Sequence, residues 1–285
     1  MANVTIAYRN WADDGTFSSG SWAASLPLTN FQDQQPTKKA RSSDATTAST
    51  KFDIDLGSAK VTALVAMIHH NCSQSATWRV RISNDNTFAT SLSDSGWVDV
   101  WPDAEVFGAL MWGEFNWNGK LDATEAADFG PIGYYYLGSS PVIGRYIRVE
   151  VSDTANADGY VEAGRVMVSP IFQPTKNLAY GWSMEFIDDS KKTISRGGQS
   201  YVDVIQKRRR LTIPLHSLTE AEAMAQGNNL VRIKGRSGDL LAVIDIEDET
   251  NRLRQSLYGL FAEMPAITQS GPITWEQTLV LEELR

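Results

Sequence analysis

The three histidines are the first residues to test for chemistry, because His serves proteins as a general base and as a metal ligand. His69 and His70 are adjacent near the end of an expected strand, and His216 precedes an expected helix. Neighbouring residues of a strand point to opposite faces, so His69 and His70 are not expected to chelate one ion. Nucleophile elbows, phosphate loops and HExxH motifs do not occur. The sequence therefore indicates no enzyme, no metal and no cofactor.

Two pairs of carboxylates have the residue types that a glycosidase needs. They are Asp53 with Asp55 and Asp245 with Glu247, each pair separated by one isoleucine. Residues two apart in a strand share one face, and the intervening isoleucine then faces inward. We expect both pairs to lie on a solvated outer face.

The basic run Lys207–Arg210, KRRR, is the strongest charge feature of the chain. It has no interleaved aromatics and no basic neighbour in the sequence, which disfavours a nucleic-acid site. In a strand the four side chains divide between two faces, where arginines can pair with carboxylates of a neighbouring subunit. The subunit-interface candidates are therefore Lys207, Arg208, Arg209 and Arg210. An exposed, solubilising sheet edge is the alternative.

A segment rich in aromatic residues and glycine lies between residues 96 and 137. Aromatic side chains on loops of a β-sandwich suit protein contacts, and their faces also stack on sugars. The candidates for contact with a partner or a glycan are Trp101, Trp112, Trp117 and Tyr134. Core packing is expected to take about half of the aromatics in this segment.

Composition limits the class of protein. The 285 residues have a net charge of −8, which argues against a nucleic-acid partner. The single cysteine, Cys72, excludes an internal disulfide framework. No apolar run approaches the roughly 18 residues of a membrane span, and the N-terminus does not have the pattern of a secretory signal. We expect a globular protein made in a cytoplasm, with no membrane partner.

Short alternating segments separated by turn residues predict a mainly β chain. In Thr77–Ser83, for example, Trp78, Val80 and Ile82 alternate with polar residues, as in a half-buried strand. Residues 1–172 carry 12 Lys+Arg and 19 Asp+Glu, whereas residues 173–285 carry 14 and 15. This shift, together with Pro170 and Pro174, places a domain boundary near residue 173.

The expected fold is an N-terminal jelly-roll β-sandwich in residues 1–172, followed by a smaller β-rich domain in residues 173–285. The second domain should contain one α-helix near residues 218–233. Ser217 followed by Glu220 predicts a capping box at the start of that helix.

The segment SSDATTASTKFDIDLGSAKVTALVAMIHHN, followed by TWRVRISND, DSGWVDVW, GRYIRVEVSD and YVEAGRVMV, resembles the discoidin-like, galactose-binding-like jelly roll in order and spacing. The resemblance implies a β-sandwich. Members of the family bind glycans through loops, and those loops do not match this sequence residue by residue.

The whole chain resembles structural tail proteins of long-tailed bacteriophages. The resemblance rests on NWADDGTFSSGSWAASLPLTNFQDQQPTKKARS, GGQSYVDVIQKRRRLTIPLHSLTEAEA and ITWEQTLVLEEL. It implies a virion protein of the distal tail or baseplate, located in the tail and assembled in the host cytoplasm. Its partners would be further copies of itself in a homo-oligomeric ring, and the tail tube, hub and baseplate proteins.

The alternative function is a carbohydrate-binding module that attaches to a glycan of the host surface. From the sequence we rank assembly first, and expect the isolated jelly roll not to bind simple hexoses.

Overall fold

The computed structural model describes residues 3–103, 119–121, 129–138 and 140–285. The chain forms two compact units. The first unit contains residues 1–173, the segment 240–256 and Arg285, and the second contains residues 174–239 and 257–284. The chain leaves the first unit after Gln173 and returns to it at Leu240. The sequence interpretation differs here, because it kept the segment 240–256 in a continuous second domain.

The first unit is built from short and medium strands. They are β1 (Thr5–Ala7), β2 (Thr16–Ser18), β3 (Ala40–Arg41), β4 (Phe52–Thr62), β5 (Leu64–Ile68), β6 (Thr77–Ser83), β7 (Ser93–Asp94), β8 (Val98–Asp99), β9 (Ile132–Tyr136), β10 (Val142–Ser152), β11 (Glu162–Ala163), β12 (Arg165–Ser169), β13 (Ile171–Phe172) and β18 (Leu240–Val243). Two 3₁₀ turns, Trp11–Asp14 and Leu28–Gln32, and the short helix α1 (Thr47–Thr50) connect some of them.

Two sheets provide the buried faces of a β-sandwich in this unit. One has the order β2-β4-β10-β6-β7, with β8 also paired to β6, and the other has the order β12-β5-β9. All pairs are antiparallel. In β6 the alternation expected from the sequence is confirmed, since Trp78, Val80 and Ile82 are buried. Every residue of β5 is buried, as expected for the central strand of its sheet.

Strand β1 is flanked by β13 and β18 within the first unit. Its register with β18 pairs Thr5 with Val243 and Ala7 with Leu241. All four residues of β18 are buried, so hydrogen bonding to β1 and apolar burial together hold this part of the segment 240–256 in the first unit.

The second unit also contains antiparallel strands. Its strands are β14 (Ser183–Ile187), β15 (Lys191–Ile194), β16 (Ser200–Asp203), β17 (Arg208–Leu218), β19 (Ser256–Phe261, whose first residue lies in the first unit), β20 (Ile267–Gln269) and β21 (Trp275–Glu283). The order is β19-β21-β17-β14, β20 also pairs with β21, and β15 and β16 pair with each other. Leu211, Ile213 and Leu279 lie in its buried core.

The helix of the second unit consists of a π-helical turn, Glu222–Gly227, followed by α2 (Asn228–Lys234). A capping box is present, but two residues later than expected. Thr219 donates its backbone N–H to Glu222 Oε2 at 2.9 Å, and the Glu222 N–H donates back to Thr219 Oγ1 at 3.2 Å. Ser217 instead has a left-handed backbone with φ of 62°, which places it before the cap.

The expected fold class, a mainly β chain with a sandwich and one principal helix, is confirmed. No helix in the described ranges is long and apolar enough to cross a membrane.

Candidate binding cleft

The four aromatic candidates from the sequence have different outcomes. Trp112 and Trp117 lie outside the described residues. Trp101 is buried, and its Nε1 donates to the Cys72 carbonyl at 2.8 Å. Tyr134 belongs to strand β9, not to a loop, and is buried as well. The expectation that Trp101 and Tyr134 offer exposed rings is therefore corrected, because both side chains are buried in the first unit.

The run Lys207–Arg210 is only partly in a strand, since β17 begins at Arg208. Arg209 is fully buried and donates to Glu283 from Nη2 at 2.6 Å and from Nε at 3.0 Å. It therefore has no surface to offer a neighbouring subunit, which corrects that expectation for Arg209.

The two flanking arginines also have partners within the chain. Arg208 contacts Asp189 and Arg210 contacts Glu282, at 3.0 and 2.5 Å respectively. Both arginine side chains remain partly exposed, at 41% and 37%, and Lys207 is exposed. For Lys207, Arg208 and Arg210 an intersubunit contact stays a prediction.

Residues that sequence analysis tested for chemistry are used structurally. Asp53 pairs with Arg148 and Asp55 pairs with Arg145, both across neighbouring strands, at 2.5 and 2.7 Å. Burial lowers the pKa of His70 to about 3, so this side chain is neutral in the fold. In the part of the chain that the structure describes, no group of three or more His, Cys, Asp or Glu could hold a metal ion.

A cleft of about 450 Å³ lies in the first unit, beside strand β9. Its lining comes from strand β8 and the residues after it, from β9, and from the segment 244–256. The lining residues are Val98, Asp99, Trp101, Pro102, Asp103, Lys120, Tyr134, Tyr135, Tyr136, Ile246, Glu249 and Arg252. Sequence and fold together thus bring into one site aromatic, acidic and basic side chains that are up to about 150 residues apart.

Lys120 holds the acidic wall of the cleft in place. Its ammonium donates to Asp103 Oδ1 at 2.6 Å, to Asp99 Oδ2 at 2.8 Å and to the Trp101 carbonyl at 2.8 Å. Burial alone would lower the pKa of Lys120, but the hydrogen bonds to Asp103 and Asp99 outweigh it and raise that pKa. The lysine is therefore charged, and the two carboxylates, which are 65% and 56% exposed, keep oxygen atoms available to solvent.

Arg252 and Tyr134 form the opposite side. The guanidinium carbon of Arg252 lies 4.2 Å from the centre of the Tyr134 ring, a cation–π contact. The Tyr134 hydroxyl donates to the Ile246 carbonyl at 3.4 Å. Burial raises the pKa of Tyr134, so the hydroxyl keeps its proton. These contacts fix the segment 244–256 against β9 and give the cleft a preformed wall.

The arrangement suits binding of a neutral polar molecule better than catalysis. Asp99, Asp103 and Glu249 present carboxylate acceptors, and Tyr135 and Tyr136 are half-buried. Because the charge of Lys120 offsets part of the acidic charge, the cleft offers hydrogen-bond acceptors and donors around an aromatic floor. Sugars need that combination, since their hydroxyl groups take planar polar partners and their apolar faces contact aromatic rings.

Sequence analysis named Trp101 and Tyr134 but missed Lys120, Glu249 and Arg252. Lys120 stands alone in an acidic segment, and the other two lie more than 100 residues after Tyr134. The signal that could have placed Glu249 and Arg252 near Tyr134 is the apolar run Leu240–Ile244 that precedes them. This run is buried and pairs with β1, and it returns the chain to the first unit.

Comparison with known proteins found structural likenesses alone. No family model and no curated protein matches the chain. Among solved structures, CBM32-1 from a family 31 glycoside hydrolase of Clostridium perfringens is 14% identical, with a TM-score of 0.37, over 57% of this chain and 99% of that one. A fucose binding module of Streptococcus pneumoniae is 12% identical, with a TM-score of 0.38, over 57% and 95%. The lectin domain of lectinolysin, solved with Lewis B antigen, is 14% identical, with a TM-score of 0.36, over 59% and 98%.

Proposed function

We propose that this protein is a non-catalytic carbohydrate-binding protein, and that the cleft of the first unit binds a saccharide. The observation that carries the proposal is the lining of the cleft, in which Tyr136, half-buried and on the same face of β9 as Tyr134, occurs together with the exposed carboxylates Asp99, Asp103 and Glu249. A volume of about 450 Å³ accommodates one or two sugar rings. This reverses the order of the two functions expected from the sequence, because the cleft provides a site that sequence analysis did not assemble.

Binding of glycans by the full chain tests the proposal. A glycan array that includes galactose, fucose and N-acetylglucosamine identifies the preferred saccharide, and calorimetry measures its affinity. We expect Glu249→Ala and Tyr136→Ala to weaken binding about tenfold or more each, which corresponds to about 1.4 kcal/mol. Glu247→Ala is the matched control, because Glu247 is exposed in the same segment but does not line the cleft.

Two results would contradict the cleft as the binding site. One is the absence of any saccharide hit with the full chain. The other is a hit whose affinity both cleft variants leave unchanged, which would move the site to another surface.

As a second function, we propose that the protein is a structural subunit of a bacteriophage tail, with carbohydrate binding serving attachment to the host. The specific support is a two-stranded ribbon in the second unit, β15 with β16, on which the apolar side chains Ile194, Tyr201 and Val202 are exposed. Localisation to purified virions by immunogold electron microscopy would test this function, and absence of the protein from virions would refute it.

A further inference from the structure

A β-ribbon extends beyond the sheet of the second unit. Strands β14 and β17 pair with each other, and the chain between them pairs again as β15 and β16. We call residues 191–207 the arm. Every residue of the arm is exposed except Ser195, which is half-buried. In the described residues its two strands pair only with each other, and an isolated two-stranded ribbon is marginally stable in water.

The arm carries an unusual amount of exposed apolar surface. Ile194 is 65% exposed, Tyr201 57% and Val204 79%. Of the sixteen large hydrophobic residues that are exposed in the described ranges, five lie in the arm. Ile194 and Val202 share one face of the ribbon, and exposed apolar surface of this kind marks a site of association.

The charge of the arm is basic. It contains Lys191, Lys192, Arg196 and Lys207 against the single acid Asp203. Lys191, Lys192 and Arg196 make no ion pair with any described residue. The arm therefore presents apolar side chains together with cations that make no ion pair in the described part of the chain, and a complementary surface would be apolar and acidic.

The second unit itself contains such a surface. A groove of about 410 Å³ follows β20 and the adjoining part of β21. Its lining residues are Glu263, Met264, Pro265, Ala266, Thr268, Glu276, Gln277, Thr278 and Val280. Met264 is 47% exposed, and Glu263 and Glu276 make no ion pair with any described residue. We call this surface the acidic groove.

The arm and the acidic groove belong to different parts of the sheet. The arm continues β14 and β17, whereas the groove lies along β20, which pairs with β21. Two different and complementary surfaces on one module produce a head-to-tail contact, in which each copy both gives an arm and receives one.

We propose that the arm of one copy docks in the acidic groove of a second copy of this chain. Lys192 then faces Glu263 and Glu276, and Ile194 and Val202, which lie on the same face of the ribbon as Lys192, cover Met264 and Val280. This inference rests on the second proposed function, assembly into a homo-oligomer, and names the surfaces that perform it. It is independent of saccharide binding, which belongs to the first unit.

Sedimentation velocity of the full chain over a concentration series at low salt provides the test. We expect the wild type to associate. The arm variant Lys191→Glu/Lys192→Glu and the groove variant Glu263→Lys/Glu276→Lys should each raise the dissociation constant about tenfold or more. Lys176→Glu is the matched control, because Lys176 is exposed in the same unit and lies in neither surface. Circular dichroism checks that each variant is folded.

Mixing the two defective variants gives the sharpest result. The groove variant keeps a normal arm, and the arm variant keeps a normal groove, so one arm fits one groove. The mixture should form a complex of two chains and nothing larger, and the quadruple variant with both charges reversed should associate again.

The failures are distinguishable. A wild type that stays monomeric at every concentration would overturn the inference together with homo-oligomeric assembly. If the wild type associates and both charge-reversal variants associate equally well, only docking of the arm in the groove is overturned. Assembly would then use another surface.

Discussion

Arg209 and Glu283 form the most deeply buried ion pair described in the second unit, and removing one partner should cost far more than removing a neighbouring surface pair. The side chains are 0% and 2% exposed. Arg209 donates to Glu283 from its backbone N–H, from Nε and from Nη2, at 3.0, 3.0 and 2.6 Å. Glu283→Ala would leave a buried guanidinium without its carboxylate, which destabilises a protein by about 3–5 kcal/mol.

Arg210 is the matched control, because it is the next residue of the same strand and also pairs with a glutamate of β21. Its partner Glu282 is 23% exposed and Arg210 itself is 37% exposed. An ion pair this accessible contributes about 0–1 kcal/mol. Arg210→Ala should therefore change the stability of the second unit little, although it removes the same type of side chain from an adjacent position.

Hydrogen exchange measured by mass spectrometry on peptides from β17 and β21 reports the stability of this sheet without unfolding of the first unit. We expect Glu283→Ala and Arg209→Ala to accelerate exchange there about a hundredfold or more, as about 3 kcal/mol implies. The double variant Arg209→Met/Glu283→Leu should recover most of the protection, because no charge remains buried. Equal effects of Arg209→Ala and Arg210→Ala would refute the reasoning.

Three further predictions concern stability. His70 is neutral in the fold because burial lowers its pKa to about 3, from 6.5. The stability it contributes is present above about pH 6.5 and is lost as the pH falls towards 3, so thermal unfolding of His70→Gln between pH 6.5 and 4.5 should show a smaller decline than the wild type. Burial alone would raise the pKa of Glu222, but hydrogen bonds from Thr175 and Thr219 lower it to about 2. Glu222→Ala should lower the free energy of unfolding in urea by about 1 kcal/mol at neutral pH. At pH 2 the wild-type carboxylate is half protonated, so an equally large loss at that pH would contradict a capping role of the carboxylate. A Cβ at Gly259 would lie 1.9 Å from the Glu282 carbonyl oxygen, whereas one at Gly197 would meet nothing nearer than 4.0 Å. Gly259→Ala should therefore lower the melting temperature by several degrees, as about 1–3 kcal/mol implies, and Gly197→Ala should not.

Alternation of polar and apolar residues predicted the strands that have one buried face and one face towards solvent. The bounds of β6 match the alternation of Thr77–Ser83, since Arg79 and Arg81 face outward to Asp94 and Glu150. Strand β9, Ile132–Tyr136, was missed because three consecutive tyrosines after a glycine show no alternation. Its identity as a strand depends on pairing with β5, where Leu64 lies opposite Tyr136.

The cleft could be predicted only in part for the same reason. The aromatic residues between residues 96 and 137 were recognised as a group, because they are close in sequence. Glu249 and Arg252 join them through the return of the chain at β18, and no local pattern shows that a buried strand belongs to one unit instead of the other. The pairing of Thr5 with Val243 decides it.

Of the charged subunit contact expected at Lys207–Arg210, the fold excludes Arg209 alone, because that side chain is buried. Sequence analysis chose Lys207–Arg210 because a dense basic run in an acidic chain needs carboxylates. In the fold, β21 brings Glu282 and Glu283 opposite β17, about 70 residues later, so the arginines of the run have their carboxylates within the chain. Lys191, Lys192 and Arg196, which are spaced along the arm among its exposed apolar residues, make no ion pair with any described residue. Because burial of apolar surface stabilises association and charge selects the partner, the arm meets both requirements of an interface, and a contact of Lys207, Arg208 and Arg210 with a neighbouring subunit stays a prediction.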